Sequence, residues 1–410
     1  MIIIEYEHLV AFSVGLIIAF FSTPIARRIA FRTGAVNVPS DNRRMHKKPM
    51  PLFGGLAIIV GFVVAMVYGF ASRNLNEFLF FLSRPKSLGI IFGALIIVVL
   101  GIVDDIRPLK AGVKFVVQLL AASVVVATGT SIISITLPFT AGADDGVTYI
   151  LGETIAFLIS IFWIVGVTNA INLIDGLDGL AAGVSGIAAT SLFIVAVIRG
   201  QDDIALAAVS LAGAIFGFLP YNFNPAKIFM GDTGSTFLGY ILAVLSIEGT
   251  MKSVTTLALA IPILVLGLPI FDTLFAILRR IANGRPIGEG DRGHIHHRLI
   301  DMGLSHKMSV VILYIISGAL GLLSIVLVDK GLLPSIILLI LIVMFMVGGA
   351  RNISEMNKDI PINYHPAKAV KEKGLDEASL EAASGIQREE ENAKADSKQN
   401  TPNNDAGEEK

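Results

Sequence analysis

Four short stretches of this chain hold residues that could do chemistry together. Asp104 and Asp105 adjoin in GIVDDIRPL. Two neighbouring carboxylates beside an apolar run repel each other and lose hydration, so a cation is their natural partner. Magnesium suits them, because it takes hard oxygen ligands and is usually shared between a few protein groups and substrate phosphates. A solvated helix end next to Arg107 and Lys110 would explain the same pair without chemistry.

NAINLIDGLDGL carries Asn169, Asn172, Asp175 and Asp178, the last three spaced i, i+3, i+6. If this segment stays helical, those three lie near one face. Gly176 and Gly179 then admit a backbone or a ligand. The competing reading has the aspartates capping the next helix and the asparagines bonding between helices. Capping accounts for one of these residues and not for the set. In PYNFNPAKIFMGDTGS, Gly231 and Gly234 loosen a turn that Thr233 and Ser235 could cap. The following helix N-terminus would offer N–H groups to a phosphate, with Asp232 holding a metal against it. Alone, GDTGS could be an ordinary capped turn, and Phe229 ahead of it could stack on a base or simply pack.

GHIHHRL sets His294, His296, His297 and Arg298 within five residues. A zinc site would want a carboxylate or thiolate partner, and Arg285, Arg292 and Arg298 would repel the ion. A plain surface loop is the other reading, but the cluster suits a pyrophosphate better. Arg43, Arg44, His46, Lys47 and Lys48 add charge in the first loop, where a topology signal is explanation enough.

Something must hold these segments together. Of 410 residues, 54% are hydrophobic and 16% charged, with mean hydropathy +0.73. Soluble proteins carry about 25% charged residues, so the deficit points to lipid as solvent. A net charge of -1 offers nothing to a nucleic acid, and the absence of cysteine excludes disulfides and thiolate metal sites. The run from Leu9 to Phe21 follows Glu5 and Glu7 rather than a basic segment, so it reads as a retained first span.

The chain is expected to be an all-α polytopic membrane protein of about eleven transmembrane helices: 6–26, 54–71, 88–103, 111–128, 153–170, 178–198, 203–220, 235–248, 253–281, 309–328 and 332–350. Pro262 and Pro269 predict a kink or break in the ninth. Lysines and arginines concentrate in alternate loops, beginning with the first, which puts the N-terminus outside and the C-terminus in the cytoplasm. All four polar constellations then fall on the cytoplasmic side. Residues 131–150 alternate around a Gly/Asp turn and read as a small external β-hairpin. Residues 1–350 form the membrane domain, and 351–410, rich in Glu, Lys, Asn, Ala and Ser, a disordered tail.

NAINLIDGLDGL, FMGDTGS and HIHHRL, in this order, resemble the polyprenyl-phosphate N-acetylhexosamine-1-phosphate transferases. The likeness is greatest to the bacterial branch that starts teichoic-acid or O-antigen polymers on undecaprenyl phosphate, and covers about the first 350 residues. It implies an inner-membrane enzyme that joins GlcNAc-1-phosphate from UDP-GlcNAc to undecaprenyl phosphate, with Mg2+ as cofactor and Mn2+ as a substitute. A homodimer is compatible with it. By resemblance, Asp104 and Asp105 handle the lipid phosphate and Lys114 lies near the phosphates. Asn172 and Asp232 hold magnesium. Asp178 and Phe229 match uracil-recognition positions, with Asn222 lining that pocket, and His294, His296, His297 and Arg298 contact sugar and pyrophosphate. Asp175 is grouped with the catalytic set, although some relatives lack an acid there. Another UDP-N-acetylhexosamine would serve the same chemistry. An ion-coupled transporter is the rival of a different class, since intramembrane carboxylates and broken helices also mark ion pathways.

Overall fold

The computed structural model describes residues 5–38, 49–73, 75–137, 147–251, 260–284 and 293–330, together with 337 and 340. The first-loop cations at 43–48, Arg285 and Arg292, the span expected at 332–350 and the tail at 351–410 lie outside the described residues.

The chain is an all-helical polytopic membrane protein. Seven of its described helices are long and apolar enough to cross a bilayer: α1 (Tyr6–Thr33), α2 (Gly54–Arg73), α4 (Pro85–Ile106), α6 (Glu153–Ile174), α7 (Leu180–Ile198), α8 (Asp202–Asn222) and α13 (His306–Lys330). Between them come α3 (Leu75–Ser83), α5 (Ala111–Ala127), α9 (Gly231–Ser246), α10 (Ala260–Val265), α11 (Gly267–Ala282) and α12 (Ile295–Asp301). The sequence had not singled out α3, nor the π-helical turn Ile247–Met251 that extends α9.

Helix α1 shows why these elements assemble in lipid. Ala11, Gly15, Ala19, Thr23, Ala26 and Ala30, three or four residues apart, form its buried stripe, while Leu9, Ile17, Phe21, Ile25 and Ile29 are exposed. Small residues inside and large apolar ones outside are what a bilayer allows, because close backbone approach rather than hydrophobic exclusion drives helix association there. Helices α2 and α8 cover the stripe. At the centre runs α9, buried from Thr233 to Ser246 and packed on α2, α4, α6 and α7.

The ninth expected span is interrupted, as the prolines predicted. Helix α10 ends at Val265, Leu266 leaves helical geometry (φ -99°, ψ 16°), and α11 resumes with Pro269 in its first turn, where its missing N–H costs nothing. The hairpin is present as β3 (Ser134–Leu137) paired antiparallel with β4 (Val147–Ile150). A second pairing, β1 (Val36–Asn37) with β2 (Met50–Pro51), joins the ends of α1 and α2 and was not foreseen.

Candidate active site

A cavity of about 890 Å3 opens where the C-termini of α1, α4, α6 and α8 meet the N-termini of α2, α9 and α13. Asp104, Asp105, Asn172, Asp175, Asp178, Asn222, Phe229, Asp232 and His297 all line it. Residues far apart in the chain, singled out by type alone, therefore share one space.

The details depart from the sequence reading in instructive ways. The 172–178 segment does not stay helical. α6 stops at Ile174, Asp175 is its C-cap, and Gly179 adopts a left-handed φ of 82° before α7 begins. The three side chains converge through a turn rather than along a helix face. Neither aspartate caps α7, whose N-cap is Gly179 with no side-chain bond. The Oδ2 atom of Asp178 instead accepts from Asn224 Nδ2 (2.9 Å) and Ala226 N (3.0 Å), tying the turn to the loop after α8. Asn222, buried, accepts from Gly179 N (3.1 Å) and donates to Ile228 O (3.1 Å), so it braces both loops.

The GDTGS turn was expected to present its N–H groups to a phosphate. Asp105 takes them. Its Oδ1 accepts from Asp232 N (2.8 Å), and its Oδ2 from Thr233 N (3.1 Å) and Thr233 Oγ1 (2.6 Å). A carboxylate from another helix thus does the capping expected of Thr233 and Ser235. Gly231 is obligatory here, for φ is +72° and a Cβ would strike Leu52 O and the Asp105 carboxylate. Ser235 bonds backward to Gly231 O and accepts from Asn172 Nδ2 (2.9 Å), which leaves the Asn172 amide oxygen as its free acceptor.

Asp104 accepts from Leu109 N (2.7 Å) and from Lys114 Nζ (2.9 Å), and Lys114 also donates to Asp232 Oδ2 (2.6 Å). One ammonium therefore bridges two of the cavity's carboxylates. One turn further along α5, Gln118 accepts from Asn169 Nδ2 (2.7 Å), locking α5 against α6 and holding Lys114 in reach. Burial, with the charges of Asp232, Asp105 and Asp178, pushes the Asp175 carboxyl up to about 8. Like charge is thus concentrated around one space, and Lys114 offsets it at Asp104 and Asp232.

Of the histidine cluster, only His297 lines the cavity. His294 is buried and donates from Nδ1 to Asp272 Oδ2 (2.9 Å), while Asp272 Oδ1 accepts from Ile295 N (2.8 Å), so α11 caps α12. His296 stacks on His294, lies against the tilted ring of His297 and is buried, and burial above all pushes it down to about 4. Its Nε2 lies where a Cβ on Gly176 would be, 2.5 Å away. The close approach expected at that glycine is thus to a side chain of the same protein and not to a ligand. Arg298 lines a smaller cleft of about 390 Å3 with Asp272, Phe275 and Arg279, outside the main cavity. The sequence reading missed Asp301 and His306, which line the main cavity. Their sole signal was proximity in sequence to HIHHRL.

A bundle of membrane-length apolar helices with an acidic, oxygen-rich cavity at one end is the fold of a polytopic membrane protein with a polar site at the helix ends. Residues 87–250 match the family model described as Glycosyl transferase family 4. The chain is 45% identical, over 82% of its own length and 89% of the relative's, to a probable undecaprenyl-phosphate N-acetylglucosaminyl 1-phosphate transferase of Bacillus subtilis. It is 37% identical, over 74% of its length and 78% of the relative's, to a decaprenyl-phosphate N-acetylglucosaminephosphotransferase of Mycobacterium tuberculosis. An undecaprenyl-phosphate alpha-N-acetylglucosaminyl 1-phosphate transferase of Escherichia coli K12 is 23% identical over 82% of the chain and 89% of its own. The chain belongs to Glycosyl transferase family 4.

Proposed function

We propose that the protein transfers GlcNAc-1-phosphate from UDP-GlcNAc to undecaprenyl phosphate, giving undecaprenyl-diphosphate-GlcNAc and UMP. This would be the first membrane step of a cell-envelope polymer such as teichoic acid or O-antigen lipopolysaccharide. The names of the relatives support donor and acceptor. The observation that carries the chemistry is the convergence of Asp104, Asn172, Asp175, Asp178 and Asp232 on one cavity at the helix ends. An acceptor phosphate at the bilayer surface and a water-soluble donor can meet only at such an interface. The excess of Lys and Arg in the flanking loops supports a cytoplasmic mouth, with the N-terminus outside and about eleven spans. Residues 1–350 would be catalytic and 351–410 a polar cytoplasmic tail.

The donor set fits magnesium or manganese. Asp232 and the free amide oxygen of Asn172 are hard oxygen ligands beside other carboxylates whose repulsion Lys114 relieves only in part. When bound, the ion would neutralise charge on the diphosphate. An oxygen of the lipid phosphate attacks the sugar-linked phosphorus. The bond from that phosphorus to the bridging oxygen breaks, and UMP leaves with the electron pair. Asp105 is tied to the start of α9 by three donors, whereas Asp104 shares its Oδ2 with the Lys114 ammonium, which supports Asp104 and Lys114 together as the pair that orients the acceptor. Lys114 would stabilise the developing charge. Asp178, Phe229 and Asn222 would take the uracil end, and His297 the sugar-diphosphate side. Transfer by a covalent aspartyl phosphate would use the same residues.

Purified protein incubated with undecaprenyl phosphate, Mg2+ and a panel of UDP-sugars should release UMP and a lipid-linked sugar with UDP-GlcNAc. Release with a different UDP-N-acetylhexosamine alone would reassign the donor. No release with any would refute the transferase reading.

A further inference from the structure

His306 is assigned no part in the chemistry described so far, yet it lines the same cavity as Asp178, Asn222 and Asn224. Its Nε2 accepts the backbone N–H of Asp178 at 2.9 Å. Eight residues on, along the same face of α13, Tyr314 donates to Gly179 O at 2.5 Å. α13 therefore grips the Asp178–Gly179 peptide pair from both ends, by its first N–H and its last carbonyl. Ser305 fixes where that helix begins, since Met308 N donates to its hydroxyl (3.2 Å) and Ser309 N to its carbonyl (2.9 Å).

We infer that His306 is a positioning residue for nucleotide recognition, holding the Asp178 turn in place and doing so only while its Nε2 is unprotonated. This rests on the reading of Asp178 as the uracil-end carboxylate. An acceptor nitrogen facing an N–H fixes the tautomer with the proton on Nδ1. Adding a second proton sets two N–H groups against each other and breaks the bond. The titratable groups that bear on the ring are Asp178 from the α6–α7 turn and His296 from α12, with Asp301 and His297 lining the same cavity and Lys307 next to it in sequence. Burial of the ring opposes protonation most, and the Asp178 carboxylate favours it. The contact is thus a proton-sensitive hinge pin between α13 and the nucleotide end of the cavity. Its loss should weaken donor binding while leaving the acceptor and metal sides alone, because Asp104, Lys114 and Asp232 are held by α4, α5 and α9.

The test compares His306→Gln, whose amide oxygen can accept the same N–H, with His306→Ala, which cannot. Two quantities are measured across neutral to mildly acid pH: KM for UDP-GlcNAc at saturating undecaprenyl phosphate, and UDP affinity by calorimetry on the detergent-purified protein. One neutral hydrogen bond corresponds to about a three- to tenfold effect. His306→Ala should raise the donor KM and weaken UDP by that factor with the lipid KM unchanged. His306→Gln should match the parent near neutrality. The parent's donor KM should climb as pH falls, and the Gln variant should lack that part of the climb. The donor diphosphate is a diester and does not titrate in this range. Parent-like donor KM in His306→Ala overturns the inference, as do equal defects in both variants or identical pH profiles in parent and Gln variant. If the parent shows no transfer at all, the functional reading fails, but the UDP affinities still decide the role of His306.

Discussion

The same helices carry two very different sets of charges at their two ends. Around the cavity, Asp104, Asp105, Asp175, Asp178, Asp232 and Asp301 share one space, and Lys114 is the cation that bridges two of them. At the other ends of α1, α2, α4 and α8, acids and bases alternate. Glu7 pairs with Arg73 (2.6 Å), Asp203 with Arg73 (3.5 Å) and Arg84 (3.9 Å), and Glu248 with Lys86. Balanced pairs at a bundle end stabilise a fold modestly. An unbalanced cluster is costly to fold around, and under the proposed function a cation and an anionic substrate would offset that cost. The contrast sets residues paired across helices against residues that the proposed function places in the chemistry.

The largest effect should come from Asp232. Asp232→Asn should lower turnover at least about a hundredfold with the thermal midpoint in detergent little changed, since the proposed metal ligand is lost but little packing is. Chelation of the metal should do likewise. Wild-type turnover in either experiment would dissolve the contrast between the two ends. Asp105→Ala comes next and should hurt both properties at once. It strips a buried carboxylate from two N–H groups and a hydroxyl, at about 1–3 kcal/mol for each donor left unpaired. A fall in activity without a fall in melting temperature would instead make Asp105 a direct reactant.

Arg298 tests the edge of the cavity. A guanidinium clamping a diphosphate would be worth about 1.5–3 kcal/mol, or ten- to a hundredfold. Its place in the smaller cleft implies a loss below tenfold in donor kinetics for Arg298→Ala. A larger loss would mean that α12 swings inward when donor binds. Glu7→Gln should be the mildest. It removes half of a partly exposed pair and should lower the melting temperature by at most about 3 °C, leaving kcat and both KM values at the parent level.

Much of this arrangement could be read from residue order, because a membrane tolerates so few charges that each is informative. Asp104, Asn172, Asp178 and Asp232 stood out by type, and the basic loops placed them at one end before any packing was known. The break in the ninth span was legible because proline removes a specific bond. What escaped were relations set by packing across helices. Nothing in GDTGS says that its N–H groups belong to Asp105, nor does GHIHHRL say that one histidine is buried against Gly176. The i, i+3, i+6 spacing at 172–178 suggested a helix face. The two glycines that permit a turn won, because His306, Tyr314 and Asn222 reward the turned form with three hydrogen bonds. Residues 301 and 306 carried no sequence pattern and were found by position alone.

Helix α9 has a consequence for how the protein is made. Its 16 α-helical residues are continued by the π-helical turn to Met251, and protein surrounds it from Thr233 to Ser246, with Thr233, Ser235, Thr236 and Ser246 among its buried side chains. A segment that meets no lipid in the finished bundle need not be as long or as oily as one that does. The same freedom makes it a poor substrate for the insertion machinery, which sorts segments by their apolarity as they emerge. Its entry into the bilayer should therefore depend on α4 and α6 already being there to receive it, so the helix that bears Asp232 would settle among its neighbours rather than ahead of them. Fusing a glycosylation or protease reporter after α9, with and without the preceding helices, would reveal that dependence during synthesis.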